Sequence, residues 1–245
     1  MMFVVILILK GFTMKSQIAH LLLKNTIVGV IACRADLVYA QKSRDVAGIY
    51  EWRADCFGGA HVASEIKALR RPIILTVRDP REGGQNKELT MEMRAKLYEI
   101  YLPYASMIDI EAACAQNLIK IVTLAKERFN AGLIISCHRF DTKAMLFKLD
   151  QAAAIAFEYQ ANVLKLAVTA DTLEVFQKFL TYYVRIKQRN IIPVSAMAMG
   201  KFGPVSRLLF GMDRTQLIYG YLATPAVKGQ LHVTEIGELL KKFEV

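Results

Sequence analysis

Short apolar runs rich in β-branched residues recur along the chain, and segments with helical spacing separate them. The runs are Thr26–Ala32, Gly48–Arg53, Pro72–Val77, Ala105–Ile110, Gly132–Cys137, Asn162–Ala167, Ile191–Ala196 and Gln216–Leu222. Most are apolar on both faces, as strands covered on two sides must be. Between them, Met91–Tyr101, Gln116–Arg128, Ala152–Tyr159 and Thr172–Arg185 carry apolar residues three and four apart with charges between. That spacing predicts helices with one buried face. Thr234–Phe243 predicts a last helix, with Thr234 as its N-cap. Neither a Pro/Gly/Ser-rich linker nor a sequence repeat interrupts the series. Eight such alternations in 245 residues predict one α/β domain. A closed (β/α)8 TIM barrel accommodates eight equal units better than an open doubly wound sheet.

The division expected is an N-terminal extension over residues 1–25 and a catalytic barrel over residues 26–245. Phe3–Leu9 is wholly apolar but too short to span a bilayer. No basic residue precedes it and no clear small-residue cleavage site follows, which argues against a signal peptide. Met14-Lys15 is a second candidate start, so residues 1–13 are expected to be dispensable for catalysis. Ser16–Lys24 reads as a short helical stretch.

Hydrophobic residues make up 54% of the chain, which excludes a disordered or fibrous protein. The net charge of +10 suits nucleic acid, a membrane surface or an anionic substrate. Lys and Arg are scattered without a basic tract, so neither a nucleic-acid partner nor a membrane is expected. Cys33, Cys56, Cys114 and Cys137 have the spacing of neither a zinc site nor a disulfide framework. They read as reduced thiols of a cytoplasmic protein.

A barrel of this kind builds its active site at the C-terminal ends of its strands. Glu51 and Arg53 end the second run, on one face; Arg78 ends the third, with Glu82 close behind. Glu111 follows the fourth and His138 the fifth. Arg207 and Gln230 lie in loops after the seventh and eighth. Structural alternatives exist: an ion pair between Glu51 and Arg53, a solvated pair of Arg78 and Glu82, a satisfied core histidine. Lys165 is harder to explain structurally. It lies inside the sixth run, between Val163-Leu164 and Leu166-Ala167, where burial penalises an ammonium. An inward lysine with a histidine at the end of the preceding strand suits imine chemistry.

At these residues the chain resembles the type I 3-dehydroquinate dehydratases. Glu51-Trp-Arg53-Ala-Asp55 resembles their E-x-R-x-D signature. Thr76-Val-Arg78-Asp-Pro-Arg-Glu82-Gly-Gly84 resembles their T-x-R-x-x-x-E-G-G loop. Ser136-Cys-His138-Arg-Phe140 is similar to the segment around the catalytic histidine, and Val163–Ala167 to the Schiff-base strand. Met199-Gly200 through Ser206-Arg207 resembles M-G-x-x-G-x-x-S-R, and Gly229-Gln230 the end of P-G-Q. The motifs run in register from about Thr26 to the C-terminus.

The resemblance implies dehydration of 3-dehydroquinate to 3-dehydroshikimate, a step of the shikimate pathway. Lys165 would form the imine, His138 would act as base and acid, and Glu82 would orient His138. Arg207 would clamp the substrate carboxylate, and Glu51, Arg53, Arg78 and Gln230 would hold ring hydroxyls. No metal or organic cofactor is implied; a homodimer is. Departures are Lys143-Ala144 where Thr-Pro is usual, Ala226 where some members carry a substrate-contacting serine, and Lys228 for the proline of P-G-Q. Lys228 predicts a more mobile loop over the site. No strand-one serine can be placed with assurance, and the stretch before strand one does not read as a hairpin closing the barrel floor. The rival readings are another Schiff-base barrel lyase, such as a class I aldolase, and a non-catalytic nucleic-acid-binding barrel.

Overall fold

The computed structural model describes residues 20–22, 25–43, 46–57, 62–213 and 217–243. Residues 1–13, most of Ser16–Lys24 and Gln216 lie outside them. The strands are β1 (Thr26–Ile31), β2 (Ile49–Arg53), β3 (Ile73–Thr76), β4 (Met107–Glu111), β5 (Gly132–Arg139), β6 (Val163–Thr169), β7 (Val194–Met199) and β8 (Leu217–Tyr221). They form one parallel sheet in the order β7-β6-β5-β4-β3-β2-β1-β8. The last strand pairs with the first, with Val28 opposite Tyr219 and Gly29 opposite Gly220, so the sheet curls into a barrel. Across the β7–β8 seam, the Ser195 hydroxyl donates to the Leu217 carbonyl at 2.6 Å. Arg207 donates to Tyr219 O on β8 at 2.8 Å and to Ala198 O on β7 at 3.0 Å.

The helices are α1 (Arg34–Lys42), α2 (Ala63–Lys67), α3 (Met91–Tyr101), α4 (Ile119–Glu127), α5 (Met145–Glu158), α6 (Leu173–Gln188), α7 (Gly203–Met212) and α8 (Val233–Lys242). The alternation makes a single-domain (β/α)8 TIM barrel, as the apolar pattern predicts. α3 has the predicted bounds, with the Thr90 side chain accepting from Met93 N. α5 begins well before Ala152. Leu146 and Phe147 lie exposed on its first turn, so apolar spacing there does not mark the buried face. The cap of α8 is His232, not Thr234: its ring accepts from Thr234 N while Glu235 reaches back to His232 N. Apolar spacing does not predict α7, because its buried face includes Gly203, Ser206, Arg207 and Gly211. β7 starts at Val194, later than predicted, since Asn190 turns at positive φ and Ile191 is exposed.

Alternation along each strand divides the core in two. Val28, Val30, Ile49, Ile74, Met107, Ile134, Val163 and Leu217 pack together inside the barrel. Ile31, Trp52, Leu75, Ile108, Leu133 and Leu164 pack outward against the helices. Leu22, from the helical residues 20–22, joins the inner cluster, so a helical segment covers part of the barrel floor. The inner face is apolar at the starts of β2 to β5 and polar toward their C-terminal ends, while β1 and β7 stay apolar with Val30, Ala32, Met197 and Met199.

Asp36 of α1 fastens the first strand to the last loop. It is buried; one carboxylate oxygen accepts from Ala32 N (3.0 Å) and Cys33 N (3.1 Å). The other accepts from Ala223 N (3.0 Å) and Thr224 N (3.1 Å), after β8. Asp36→Ala removes the acceptor of four backbone N–H groups, of which Ala32 N is buried, and should cost about 1–3 kcal/mol. Urea unfolding followed by circular dichroism checks this; a midpoint within error of the parent would show that the clasp carries no stability.

Candidate active site

The eight residues given roles from the sequence, Glu51, Arg53, Arg78, Glu82, His138, Lys165, Arg207 and Gln230, line one cavity at the C-terminal end of the barrel. At its base lies a buried charged cluster. Lys165 Nζ donates to Glu51 Oε1 and Asp109 Oδ2, both at 2.9 Å. The Thr76 hydroxyl also donates to Glu51 Oε1, at 3.0 Å. Arg78 donates to Asp109 at 2.8 Å, to Glu111 at 2.9 Å and to the Ser136 hydroxyl at 2.8 Å. Burial opposes ionisation of Asp109, yet Arg78 and Lys165 hold its carboxyl well below the usual carboxylate range. The lysine thus meets the cost of burial by ion pairing, with arginine one step further away.

Two structural alternatives to function are replaced by other pairings. Glu51 and Arg53 share the inward face without bonding to each other. Arg53 makes a two-pronged bridge to Asp55, with Nε to Oδ1 at 2.9 Å and Nη2 to Oδ2 at 2.7 Å. Arg78 is buried among Asp109 and Glu111 and is not solvated against Glu82.

Glu82 faces His138 from the loop after β3. Its Oε2 accepts from His138 N at 2.8 Å and lies 3.1 Å from Nδ1. A carboxylate at Nδ1 selects the tautomer with its proton there and leaves Nε2 as the basic nitrogen. Burial, then the nearby charges of Arg78 and Lys165, push the imidazolium pKa well below its ordinary value, so His138 is neutral at pH 7. Burial and the charge of Glu111 push Glu82 up to about 7. The loop folds back tightly: Gly83 has φ +91°, and a Cβ on Gly84 would lie 2.4 Å from Arg78 O. Buried Arg94 anchors it from α3, donating to Val77 O, Asp79 and Glu111.

Arg207 lies on the opposite wall. It donates to the carbonyls of Tyr219, Ala198, Gly203 and Gly229. Of the described buried arginines, Arg78 and Arg94 pair with carboxylates, whereas Arg207 has no described salt bridge. Burial lowers its pKa to about 10. A cavity-lining guanidinium without a carboxylate suits an anionic ligand.

The loop carrying Lys228 is tied down despite lacking proline. Gly200 N donates to Lys228 O at 3.0 Å, and Arg207 reaches Gly229 O at 3.1 Å. Gly229 sits at φ +80°, where a Cβ would lie 2.1 Å from Gly200 O. Such backbone bonds do not depend on the side chain at 228. Gln230 Oε1 accepts from Ala226 N at 2.9 Å, bracing the same loop.

Sequence reasoning did not single out Asp109 or Tyr219 for the site, and it left Glu111 without a role. For the carboxylates a signal was present, since Asp109 and Glu111 alternate in an otherwise apolar strand and so share its inner face. Tyr219 carries no such signal, because an aromatic in a strand is ordinarily core.

Comparison with known proteins agrees with this arrangement. Residues 32–245 match the family model of type I 3-dehydroquinase. A 3-dehydroquinate dehydratase of Geobacillus thermodenitrificans is 28% identical over 87% of this chain and 87% of its own. One from Methanocella arvoryzae is 30% identical over 80% of this chain and 87% of its own. A crystal structure of 3-dehydroquinate dehydratase from Geobacillus kaustophilus superposes with a TM-score of 0.78 at 23% identity, covering 89% of this chain and 91% of that one. That likeness speaks for the barrel, and the family match spans most of the sequence: the chain belongs to the type I 3-dehydroquinase family.

Proposed function

We propose that this chain dehydrates 3-dehydroquinate to 3-dehydroshikimate, in the shikimate pathway, through an imine on Lys165. The observation that carries the reading is the meeting of a buried amine, a neutral histidine backed by a carboxylate, and an arginine with no described salt bridge in one cavity. Lys165 Nζ passes a proton to His138, attacks the C3 ketone as the free amine, and water leaves. The positive charge stays on nitrogen as ammonium becomes iminium, so Glu51 and Asp109 are already placed to stabilise it. The iminium withdraws electrons and acidifies C2. His138 Nε2 takes the C2 proton; the enamine then expels the C1 hydroxyl, which leaves as water with a proton from His138. His138 also carries protons during imine formation and hydrolysis. Glu82 holds His138 in its tautomer. Arg207 takes the substrate carboxylate, while Glu51, Arg53, Arg78 and Gln230 contact ring hydroxyls. Arg78 has the further task of positioning Asp109 beside Lys165. The reaction needs no metal or organic cofactor, because the iminium is the electron sink. Extending the family resemblance, we place the enzyme in the cytoplasm as a homodimer without nucleic-acid or membrane partners. Among the described residues, no helix is long and apolar enough to cross a membrane.

Borohydride added with dehydroquinate should inactivate the enzyme and add one ligand-sized mass per chain, mapped to Lys165. Lys165→Ala should lose adduct and turnover, whereas His138→Ala should lose turnover but still form the adduct slowly. Activity with no trappable adduct would sink the mechanism, and turnover of phosphorylated ketoses instead would favour an aldolase.

The second expectation is a pH profile. The ionised form of Glu82 polarises His138, and its pKa is raised to about 7, so kcat/KM should fall as pH drops through about 7. Glu82→Gln should lower kcat/KM above pH 7 and abolish that limb. An unchanged limb in the variant would assign the titration to another group.

Arg207→Lys should raise KM for dehydroquinate roughly 10- to 100-fold, since an ammonium cannot hold these four carbonyls and still offer a donor to a carboxylate. Steady-state kinetics on the folded variant test this. An unchanged KM would transfer the clamp to Lys201 or Lys228.

A further inference from the structure

Tyr219 is a cavity-lining side chain with a polar atom that the mechanism leaves without a task. It is 3% exposed, lines the cavity with Lys165 and Arg207, and its hydroxyl has no hydrogen-bond partner among the described residues. Two other buried phenols, Tyr182 and Tyr183 on α6, also lack a partner within bonding geometry, but Asp150 and Asp213 lie close enough to interact with them. The buried hydroxyls of Thr76, Ser136 and Ser195 are engaged: Thr76 on Glu51, Ser136 on Asp109 and Ser195 on Leu217 O. A buried hydroxyl left unpaired costs about 1–3 kcal/mol, and phenylalanine would fill the same space without that cost. An unmet donor beside a substrate cavity is consistent with a partner that arrives with the substrate.

The position of the ring indicates which substrate atom that is. Its centroid lies 3.9 Å from Lys165 Nζ. An oxygen on the carbon attacked by Nζ is two bonds from that nitrogen. That spacing lets it come within hydrogen-bond reach of a hydroxyl at the rim of this ring. We infer that Tyr219 is a catalytic residue whose hydroxyl hydrogen-bonds the oxygen on the carbon attacked by Lys165, first as ketone and then as carbinolamine hydroxyl. This rests on the reading of Lys165 as the imine-forming amine.

The phenol donates a hydrogen bond and keeps its proton. Burial, with Glu51 and Asp109 nearby, holds its pKa well above the usual phenol value. Proton balance does not require more. Ammonium plus ketone gives iminium plus water with no net proton gained or lost; the C–N bond forms, the C–O bond breaks, and His138 ferries protons from nitrogen to the departing oxygen. Tyr219 polarises the ketone for attack and fixes the carbinolamine hydroxyl for departure.

The test is Tyr219→Phe, which keeps the ring over Nζ and removes only the unpartnered hydroxyl. Imine formation is timed by rapid mixing with dehydroquinate and quenching into borohydride, read by intact mass. The variant should fold with unchanged or raised Tm, and its imine should form at least about 10-fold more slowly. The kinetic isotope effect with C2-deuterated substrate should fall, because a step before proton abstraction becomes limiting. Affinity for a carbocyclic analogue lacking the ketone oxygen should be unchanged. A folded variant that traps at the parental rate with unaltered KM overturns the inference, as does an equal loss of affinity for the analogue, which would mark a purely structural role. Failure of the parent enzyme to trap any adduct overturns the Lys165 reading itself, and this inference with it.

Discussion

An ammonium in the middle of an apolar strand is the constraint around which this barrel is built. Lys165 cannot reach bulk water, so its charge is met inside by Glu51 and Asp109, each at 2.9 Å. Two buried carboxylates would repel one another, and Arg78 relieves that by lying against Asp109 and Glu111. Glu111 in turn meets Arg94, which also bonds Asp79. Each ion is tolerable because of the next, and removing one partner leaves an uncompensated buried charge worth about 3–5 kcal/mol.

The same chain of charges reaches both ends of the site. At one end it holds the Lys165 amine. At the other, the Glu111 carboxylate accepts from Asp79 N at 2.8 Å, at the start of the turn that carries Glu82 to His138. The electrostatics then separate two tasks. Arg78 and Lys165 act with burial to keep His138 neutral. Burial and Glu111 raise Glu82, so the carboxyl beside the imidazole titrates close to neutrality.

Arg207 links the cavity to closure of the barrel. The guanidinium that faces the cavity also bonds carbonyls on β7, on β8 and in the loop at Gly229. One cavity-lining side chain therefore also holds the β7–β8 seam. The glycines at 200 and 229 let the two loops approach backbone to backbone.

Strand alternation, helix spacing and chain length were sufficient to determine the fold, because a two-sided apolar period and a helical period are local properties of the chain. Which side chains end strands was equally legible, and all eight candidate residues line the same cavity. α7 escaped the pattern because its buried face is built from glycine, serine and arginine. The partners inside the cavity escaped it for a different reason. Period-two alternation says that Glu51, Asp109, Glu111 and Lys165 all point inward, but not that Lys165 meets the first two while Arg78 takes the third. Those pairings come from strands distant in sequence, brought together by register and barrel closure. That the Tyr219 hydroxyl has no hydrogen-bond partner among the described residues is likewise invisible in the chain, since such an absence exists only once its neighbours have been placed.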